Sequence, residues 1–243
     1  MAGAGKKTFT AGEVLTASDV NTYLMEQSVM NFAGTAARAS AIPTPSTGMT
    51  SYIGVTGTAS IPQIETYTGS AWQTPYAMTL LSNSSFTAAS TVDVTSVFTS
   101  SYQNYKVILR CNSPSGTQVN IYAQLLSAST PATTNYLAAS RTWNTASNTA
   151  SFNTADSLST AVSIGHPASD NGQSITIFDV GTPQLAIKTT FTGSNVGAVF
   201  GAYSSASIFG GYHNDNTSYN GIRFITSAST ISGTIQIYGY RNA

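Results

Sequence analysis

Short alternating runs of hydrophobic and polar residues fill most of this chain. The runs 105–111 and 119–125 place an apolar residue at every second position, the spacing of a strand with one buried face. Turn-rich stretches such as SPSG, SDNGQ, VGTP and HNDN separate the runs. Many short strands with this punctuation predict an antiparallel β-sandwich of the jelly-roll type over 78–243. Further strands are predicted around 175–180, 185–191, 196–202, 222–226 and 234–240.

One stretch near the start has a different pattern and predicts a helix over 17–32. Thr16 is placed to cap it, and Asp19 is three residues on, where its carboxylate reaches back to the cap. Apolar residues lie on several sides of this helix or flank its start: Leu15, Val20, Tyr23, Leu24, Met25, Val29, Met30 and Phe32. A helix of this kind is buried on most sides. It either packs on its own domain or, within segment 1–40, serves attachment to a different protein or oligomerisation among neighbouring chains.

The segment 41–77 is predicted to hold a linker and a small β-meander. Pro43 and Pro45 keep the residues before them extended, so 36–47 is predicted to be a linker. Short apolar runs at 49–53, 64–67 and 71–72 then predict three strands. Trp72 is interpreted as the core anchor of this module rather than as a platform for a ligand.

Charge is scarce and balanced, which narrows the classes of partner. Only 7% of the 243 residues are charged, against roughly 25% in an ordinary domain. The 41% that are hydrophobic suffice for a core. Nine basic and nine acidic residues cancel, so no basic surface indicates nucleic acid or an anionic membrane. A net charge near zero favours association between proteins.

The single cysteine and the hydropathy of the chain give no sign of a disulfide, a secretory signal or a membrane span. Cys111 excludes an internal disulfide, and its place in a strand-like run predicts a small buried hydrophobe. Residues 1–7 run into polar sequence without the apolar core of a secretory signal. No apolar run is long enough to span a bilayer, so membrane insertion is not expected.

Two regions resemble structural proteins of tailed bacteriophages. The stretch FTAGEVLTASDVNTYLMEQSVMNFAGTAARASAIPTPSTGMTSYI, with ETYTGSAWQ downstream, resembles the N-terminal segment of many virion proteins. VFTSSYQNYKVIL and the C-terminal GIRFITSASTISGTIQIYGYRNA resemble the first and last strands of the jelly-roll domain in tail, fibre and collar proteins. The residues between about 127 and 174 carry no such resemblance.

This resemblance implies a virion structural protein, made in the host cytoplasm and built into the particle surface. Such proteins are commonly trimers, docked to other virion proteins by the N-terminal segment with the C-terminal domain outward. The first hypothesis is a tail fibre or receptor-binding fibre that adheres to host-surface glycan. The alternative is a head-fibre, collar or capsid-decoration protein with a purely structural role. A hydrolase of surface polysaccharide is the weakest of the three.

Candidate chemistry is sparse, and an enzyme is not expected. Glycoside hydrolysis commonly uses two carboxylates about 5–9.5 Å apart, and every Glu lies at or before Glu65. Asp170 and Asp215 stand in turn-forming stretches. No nucleophile elbow or phosphate loop occurs in the sequence. His213 and Asp215 are two potential ligands in an Asn-rich stretch, which is too few to predict a metal or any cofactor.

Polar and aromatic residues concentrate at 210–221, which is predicted to be a surface loop. Loops on a rigid β-scaffold are common binding sites, and tyrosine rings with amides and carboxylates suit sugars. The candidate ligand-binding residues are Tyr212, His213, Asn214, Asp215, Asn216, Tyr219 and, in a separate stretch, Trp143. The alternative is that these tyrosines pack back on the sheet and that Trp143 belongs to the core.

Overall fold

The protein divides into two compact units, each described here by itself. The computed structural model describes residues 10–21, 28–54, 63–74, 78–113, 119–144, 149–166, 168–169, 173–199 and 203–241. The units are Met1–Ala77 and Met78–Ala243. The boundary between them along the chain falls where the β-sandwich is predicted to begin. Within the described residues, neither helix is long and apolar enough to cross a membrane.

The first unit contains a small sheet and two short helices. Its elements are α1 (Ala17–Asp19), β1 (Val29–Phe32), α2 (Thr35–Ala41), β2 (Thr50–Ile53), β3 (Gln63–Tyr67) and β4 (Trp72–Gln73). The strands lie in the order β1-β2-β3-β4. The antiparallel pairs β2–β3 and β3–β4 confirm the predicted meander, and β1 is added in parallel beside β2.

The predicted start of the first helix is confirmed. The Thr16 hydroxyl accepts a hydrogen bond from the Asp19 backbone N–H at 3.1 Å, and the Asp19 carboxylate accepts one from the Thr16 N–H at 3.2 Å. This reciprocal pair is a capping box, and it satisfies two N–H groups at the helix start. Leu15, which flanks the cap, is half exposed.

The predicted extent of this helix, to residue 32, is wrong. α1 spans Ala17–Asp19 and is followed by helical backbone of the wider π type at residues 20–21, whereas Val29–Phe32 forms a strand whose residues pair with 50–53. Val29 is β-branched and Phe32 aromatic, and both side-chain types fit a pleated surface well. Pairing with β2 therefore outweighs the helical pattern. Val29 is exposed, whereas Val20, Met30 and Phe32 are half-buried; Tyr23, Leu24 and Met25 lie outside the described residues.

The predicted linker 36–47 contains a helix at its start, which corrects the expectation of an extended segment. The α2 sequence TAARASA is rich in alanine, the residue with the highest intrinsic helix propensity. The helix ends at Ala41 because Pro43 disfavours helical geometry at Ile42, where φ is −126° and ψ is 76°.

Arg38 connects α2 to the meander. Its guanidinium forms a buried ion pair with Glu65 of β3 and lies 4.6 Å from the ring centroid of Trp72. The Trp72 ring in turn packs against Tyr67 at 5.5 Å. Burial lowers the pKa of Arg38, yet a guanidinium keeps its charge in proteins. Trp72 is thus packed within the module, as predicted, with a cation on its face.

The second unit is mainly β and consists of two sheets. Its strands are β5 (Met78–Ala89), β6 (Thr91–Val94), β7 (Tyr102–Ser113), β8 (Ile121–Ser127), β9 (Thr130–Pro131), β10 (Tyr136–Asn144), β11 (Thr149–Ser159), β12 (Val162–Gly165), β13 (Ala168–Ser169), β14 (Ser174–Gly181), β15 (Thr189–Val199), β16 (Tyr203–His213), β17 (Gly221–Thr226) and β18 (Ile231–Arg241). The large sheet has the order β11-β10-β16-β15-β14-β7-β18-β5, with β13 beside β7. The small sheet has the order β12-β8-β17-β6, with β9 beside β8. All pairings are antiparallel except β13–β7.

The core lies between the two sheets, and strand alternation selects its residues. The buried side chains include Tyr105, Val107, Leu109 and Cys111 of β7 and Ile121, Ala123 and Leu125 of β8, as the alternation predicts. The rings of Phe178 in the large sheet and Phe224 in the small sheet lie 6.4 Å apart. Burial raises the pKa of the Cys111 thiol to about 11, against the opposing hydrogen bond with Ser174.

Some strand predictions need correction. The strands predicted at 175–180, 222–226 and 234–240 are present. At 185–191 the strand begins only at Thr189, because Thr182 adopts a φ of +55° and Leu185 N–H donates to its carbonyl, which makes a turn. The predicted strand 196–202 is the end of β15, and its residues 200–202 lie outside the described residues.

We expect the Arg38–Glu65 pair to be required for the fold of the first unit. Replacing Glu65 by alanine leaves a buried cation unpaired, and the expected loss is about 3–5 kcal/mol in free energy of unfolding. Replacing both residues, with Arg38→Met and Glu65→Leu, is expected to cost less than Glu65→Ala because no charge stays buried. Trp143→Phe as background leaves Trp72 as the single tryptophan, so selective excitation of tryptophan follows the first unit during urea unfolding. A double variant as unstable as Glu65→Ala would contradict this account.

Candidate functional site

The large sheet has one face in the core and one face that no described strand of the second unit covers. We call the second the open face. It carries these residues of β7, β14, β15, β16 and β10: Lys106, Ile108, Arg110, Ile175, Ile177, Asp179, Thr192, Ser194, Val196, Ala206, Ile208, Gly210, Ala139, Arg141 and Trp143. Each alternates along its strand with a residue on the core side, so the core packing fixes which side chains are presented here.

The centre of the open face is apolar and slightly hollow. Ile208 is 53% exposed and Val196 51% exposed, and Ile175 pairs directly with Val196 between β14 and β15. A depression of about 810 Å³ lies on this face. It forms where Gly210 and Ala139, which have little or no side chain, pair across neighbouring strands. Contiguous apolar surface of this kind marks sites of contact with other molecules.

The charged residues on the open face are hydrogen-bonded to neighbours on the same face, and one pair of them is neutralised. Lys106 donates to the Asp179 carboxylate at 2.9 Å, and the Tyr240 hydroxyl donates to the same oxygen at 2.6 Å. Burial opposes the charge on Lys106, but its bonds to Tyr240 and Asp179 outweigh this, so the pKa of Lys106 is raised. Arg110 donates to the Gln236 side chain at 3.0 Å. Lys106 and Asp179 therefore neutralise each other, whereas Arg110 is bonded to a neutral amide and keeps its charge.

Two of the predicted ligand residues lie at opposite ends of the open face. Trp143 pairs with Ala206 and is 37% exposed, and the Arg141 guanidinium lies 5.0 Å from its ring centroid. Tyr212 is half-buried on β16, with the Lys188 ammonium 5.5 Å from its ring centroid. Tyr212 is six positions after Ala206 on β16, which is about 20 Å along the strand.

The structure corrects the prediction that His213 and Tyr219 are surface ligand residues. His213 is 1% and Tyr219 4% exposed. His213 Nε2 lies 3.0 Å from the Thr134 carbonyl, which only accepts, so this nitrogen carries the proton. The Tyr219 hydroxyl donates to His213 Nδ1 at 3.2 Å. The Tyr136 ring packs on His213 at 4.5 Å. The tyrosines of the 210–221 segment thus partly pack back on the sheet, the alternative left open above.

The remaining residues of the predicted loop are at the surface. Residues 210–213 are the end of β16 rather than loop, and Asn214, Asp215 and Asn216 follow it as exposed residues. The Asn214 backbone N–H donates to the Asn135 carbonyl at 2.8 Å, which joins this loop to the turn before β10. These three side chains stay candidate ligand residues.

The described carboxylates of the second unit are engaged in ion pairs or isolated in a loop. Asp93 accepts two hydrogen bonds from Arg223 at 2.6 and 2.7 Å, Asp179 is bonded to Lys106, and Asp215 is exposed. The side chain of Asp156 and all of Asp170 lie outside the description. Across the described ranges no group of three or more His, Cys, Asp or Glu side chains could hold a metal ion.

Sequence alone did not identify the cluster of Lys106, Asp179 and Tyr240. The alternation of Lys106, Ile108 and Arg110 places these residues on one face of β7. The partner Asp179 is 73 residues away, and it meets Lys106 only through the register of β7 with β14. The polar positions of the two strands could be identified from the sequence, but the register that brings them together could not.

We expect His213 to make the stability of the second unit depend on pH. Burial lowers the pKa of His213 below its ordinary 6.5, although the bond to Thr134 and the charge of Asp215 oppose this. The unfolded chain then binds a proton first as pH falls, so stability is complete above about 6.5 and declines below it, by at most about 1.4 kcal/mol per pH unit. Urea unfolding between pH 8 and pH 5 measures the slope.

The matched variants for this measurement are His213→Gln and His166→Gln. Glutamine keeps a donor and an acceptor at position 213 but does not titrate, so the slope below pH 6.5 is expected to be lost. The His166 variant removes the other histidine and is expected to keep that slope. An equal slope in wild type and His213→Gln would refute the assignment.

Comparison with known proteins does not assign this chain to a family. No family model matches the chain, and no curated protein and no solved structure matches it. The functional argument therefore rests on the residues and contacts described above.

Proposed function

We propose that this chain is a structural protein of a tailed-bacteriophage virion. In this proposal it is a homo-oligomer, a trimer, in which jelly-roll-type second units contact one another through their open faces. The first unit attaches the oligomer to other virion proteins, and the second unit adheres to host-surface glycan. The observation that carries the proposal is the uncovered apolar face of the large sheet.

The open face supports a second copy of the chain as its occupant. Aliphatic side chains such as Ile208 and Val196 offer nothing for the hydroxyls of a sugar to bond. Lys106 is neutralised by Asp179, and the zero net charge of the chain favours association between copies. Trp143 and Tyr212 at the two ends are residue types enriched in protein interfaces. We therefore assign both to the contact between copies.

The first unit supports the attachment role. Arg38 lies in the first of the two stretches that resemble virion attachment segments and contacts Glu65 and Trp72, which lie in the second. The resembling pieces therefore form a single packed module. Exposed Leu15 and Val29 give this module apolar surface for another virion protein.

The proposed mechanism of adhesion is multivalent. A single weak site on each copy gains avidity when sites on a joined oligomer engage the same surface together, by a factor of about 10²–10⁴ in favourable geometry. Low charge removes long-range steering, so adhesion is expected to depend little on ionic strength.

A purely structural role as head fibre, collar or decoration protein is the second candidate. It is favoured by the burial of His213 and Tyr219, which removes two of the predicted ligand residues from the surface. In this role the open faces still join copies, and the particle loses stability when the protein is missing.

Labelling of intact particles tests the proposed function. An epitope tag inserted after Asn216 lies in an exposed stretch between β16 and β17, so both sheets are expected to form in the tagged chain. Gold-labelled antibody to the tag is expected to bind phage particles that are purified from cells producing the tagged chain. Untagged particles from the same host are the control.

The position of the gold separates the two candidates. Label at the tail tip or along fibres supports host adhesion, and label over the capsid or neck supports decoration. Tag detected in the cell lysate but absent from purified particles would refute a virion role altogether.

A further inference from the structure

A cleft lies between the end of the large sheet and the edge of the small sheet. Strands β10 and β16 form one wall, and β8, β12 and the residues beside them form the other. Its volume is about 260 Å³, equivalent to roughly nine waters at about 30 Å³ each. The polar groups that line it are Asn120, Tyr122, Ser140, Thr142, Ser163, His166 and Ser207.

Ser207 is the residue that indicates a ligand. It is 5% exposed, and its hydroxyl has no hydrogen-bond partner among the described residues. Buried hydroxyls in native proteins are nearly always hydrogen-bonded, and an unpaired one is unfavourable. Because Ser207 lines the cleft, a bound molecule with hydroxyl groups would satisfy it.

The groups around Ser207 define the chemistry of the ligand. The lining contains no Asp, Glu, Lys or Arg, so a charged ligand would enter without a counter-charge. His166 Nδ1 lies 3.1 Å from the Val119 carbonyl and must donate to it, which leaves Nε2 as an acceptor. The Asn120 amide donates to the Tyr122 hydroxyl at 3.2 Å. The site is thus a neutral set of hydroxyl, amide and imidazole groups.

The cleft has apolar ring surface and continues beyond these groups. Tyr122 and Phe209 both line it, and aromatic rings provide large apolar contact. A neighbouring hollow of about 470 Å³ shares Tyr122, Ser140 and Ser163 with it and adds Ser159 and Thr160. A polymer of hydroxylated rings has this combination of apolar faces and polar edges along its length.

We propose that this cleft binds one ring of a neutral saccharide, with the adjoining part of the sugar chain in the neighbouring hollow. Ser207 and His166 bond ring hydroxyls, and Tyr122 and Phe209 contact apolar ring faces. The inference rests on the proposed adhesive function and places its glycan site in the cleft rather than in the loop after β16.

The test is saturation-transfer NMR on the full chain with glucose, galactose, mannose and N-acetylglucosamine as separate probes. Transfer from the protein to at least one of them is expected. Ser207→Leu fills the cleft and is expected to abolish the transfer. Ser207→Ala removes only the hydroxyl, and the expected loss is about three- to tenfold in affinity, the worth of one neutral hydrogen bond.

Ala186 provides the matched control. It is an exposed small residue in the turn before β15, outside the open face and the cleft, and Ala186→Leu, which introduces the same side chain, is expected to leave the transfer unchanged. Circular dichroism of each variant establishes that its sheets are intact, and Ser207→Ala carries the test if Ser207→Leu fails to fold.

Two results would overturn the inference. Transfer that persists at full strength in both Ser207 variants would place the sugar elsewhere and leave the adhesive function standing. Absence of transfer from every probe would mean that the cleft holds water only. Neither result bears on whether gold labels the particles, so failure of the cleft and failure of the proposed function are distinguishable.

Discussion

The second unit depends on apolar burial between two antiparallel sheets. Tyr105, Val107 and Leu109 in the large sheet are fully buried, as are Ile121 and Leu125 in the small sheet. Each fully buried apolar side chain of this size contributes about 1.5–3 kcal/mol. Because side chains alternate along a strand, a register slip of one residue would move this whole set to the other face. Core burial therefore fixes the register throughout the unit.

The fixed register also determines the surface. Since Val107 and Leu109 are inward, Lys106 and Ile108 are outward, and the pairing of β7 with β14 brings Asp179 next to Lys106. The same alternation puts Tyr212 outside and His213 inside on β16. The open face and the cleft lined by Ser207 thus both follow from the register that core burial fixes. The open face offers apolar contact to another chain, whereas the cleft offers neutral hydrogen-bonding groups to a small ligand.

Sequence reasoning succeeded where local pattern and burial agree. The alternation at 105–111 and 119–125 identified core strands, and the Thr16–Asp19 capping box formed as predicted. It failed where long-range pairing decides, as at Val29–Phe32, which joins β2 instead of continuing a helix. β10 and β11 are rich in Ser, Thr, Ala and Asn, so their strand signal is weak, and pairing with β16 and with each other stabilises them. Thr134 is 79 residues from His213 along the chain, and the residues that line the cleft beside Ser207 come from β8, β10 and β12, so no local pattern could reveal these contacts.

The central claim is that the open face joins copies of the chain, and the oligomeric state in solution tests it most directly. Sedimentation velocity is measured for the full chain, for Ile208→Asp on the open face and for Ile187→Asp, a control of similar exposure (48% against 53%) in the turn before β15. The account predicts a trimer for wild type and Ile187→Asp and a monomer for Ile208→Asp, which places a charge in the contact. A wild-type chain that stays monomeric at every concentration, or an Ile208→Asp variant that remains a trimer, would contradict it.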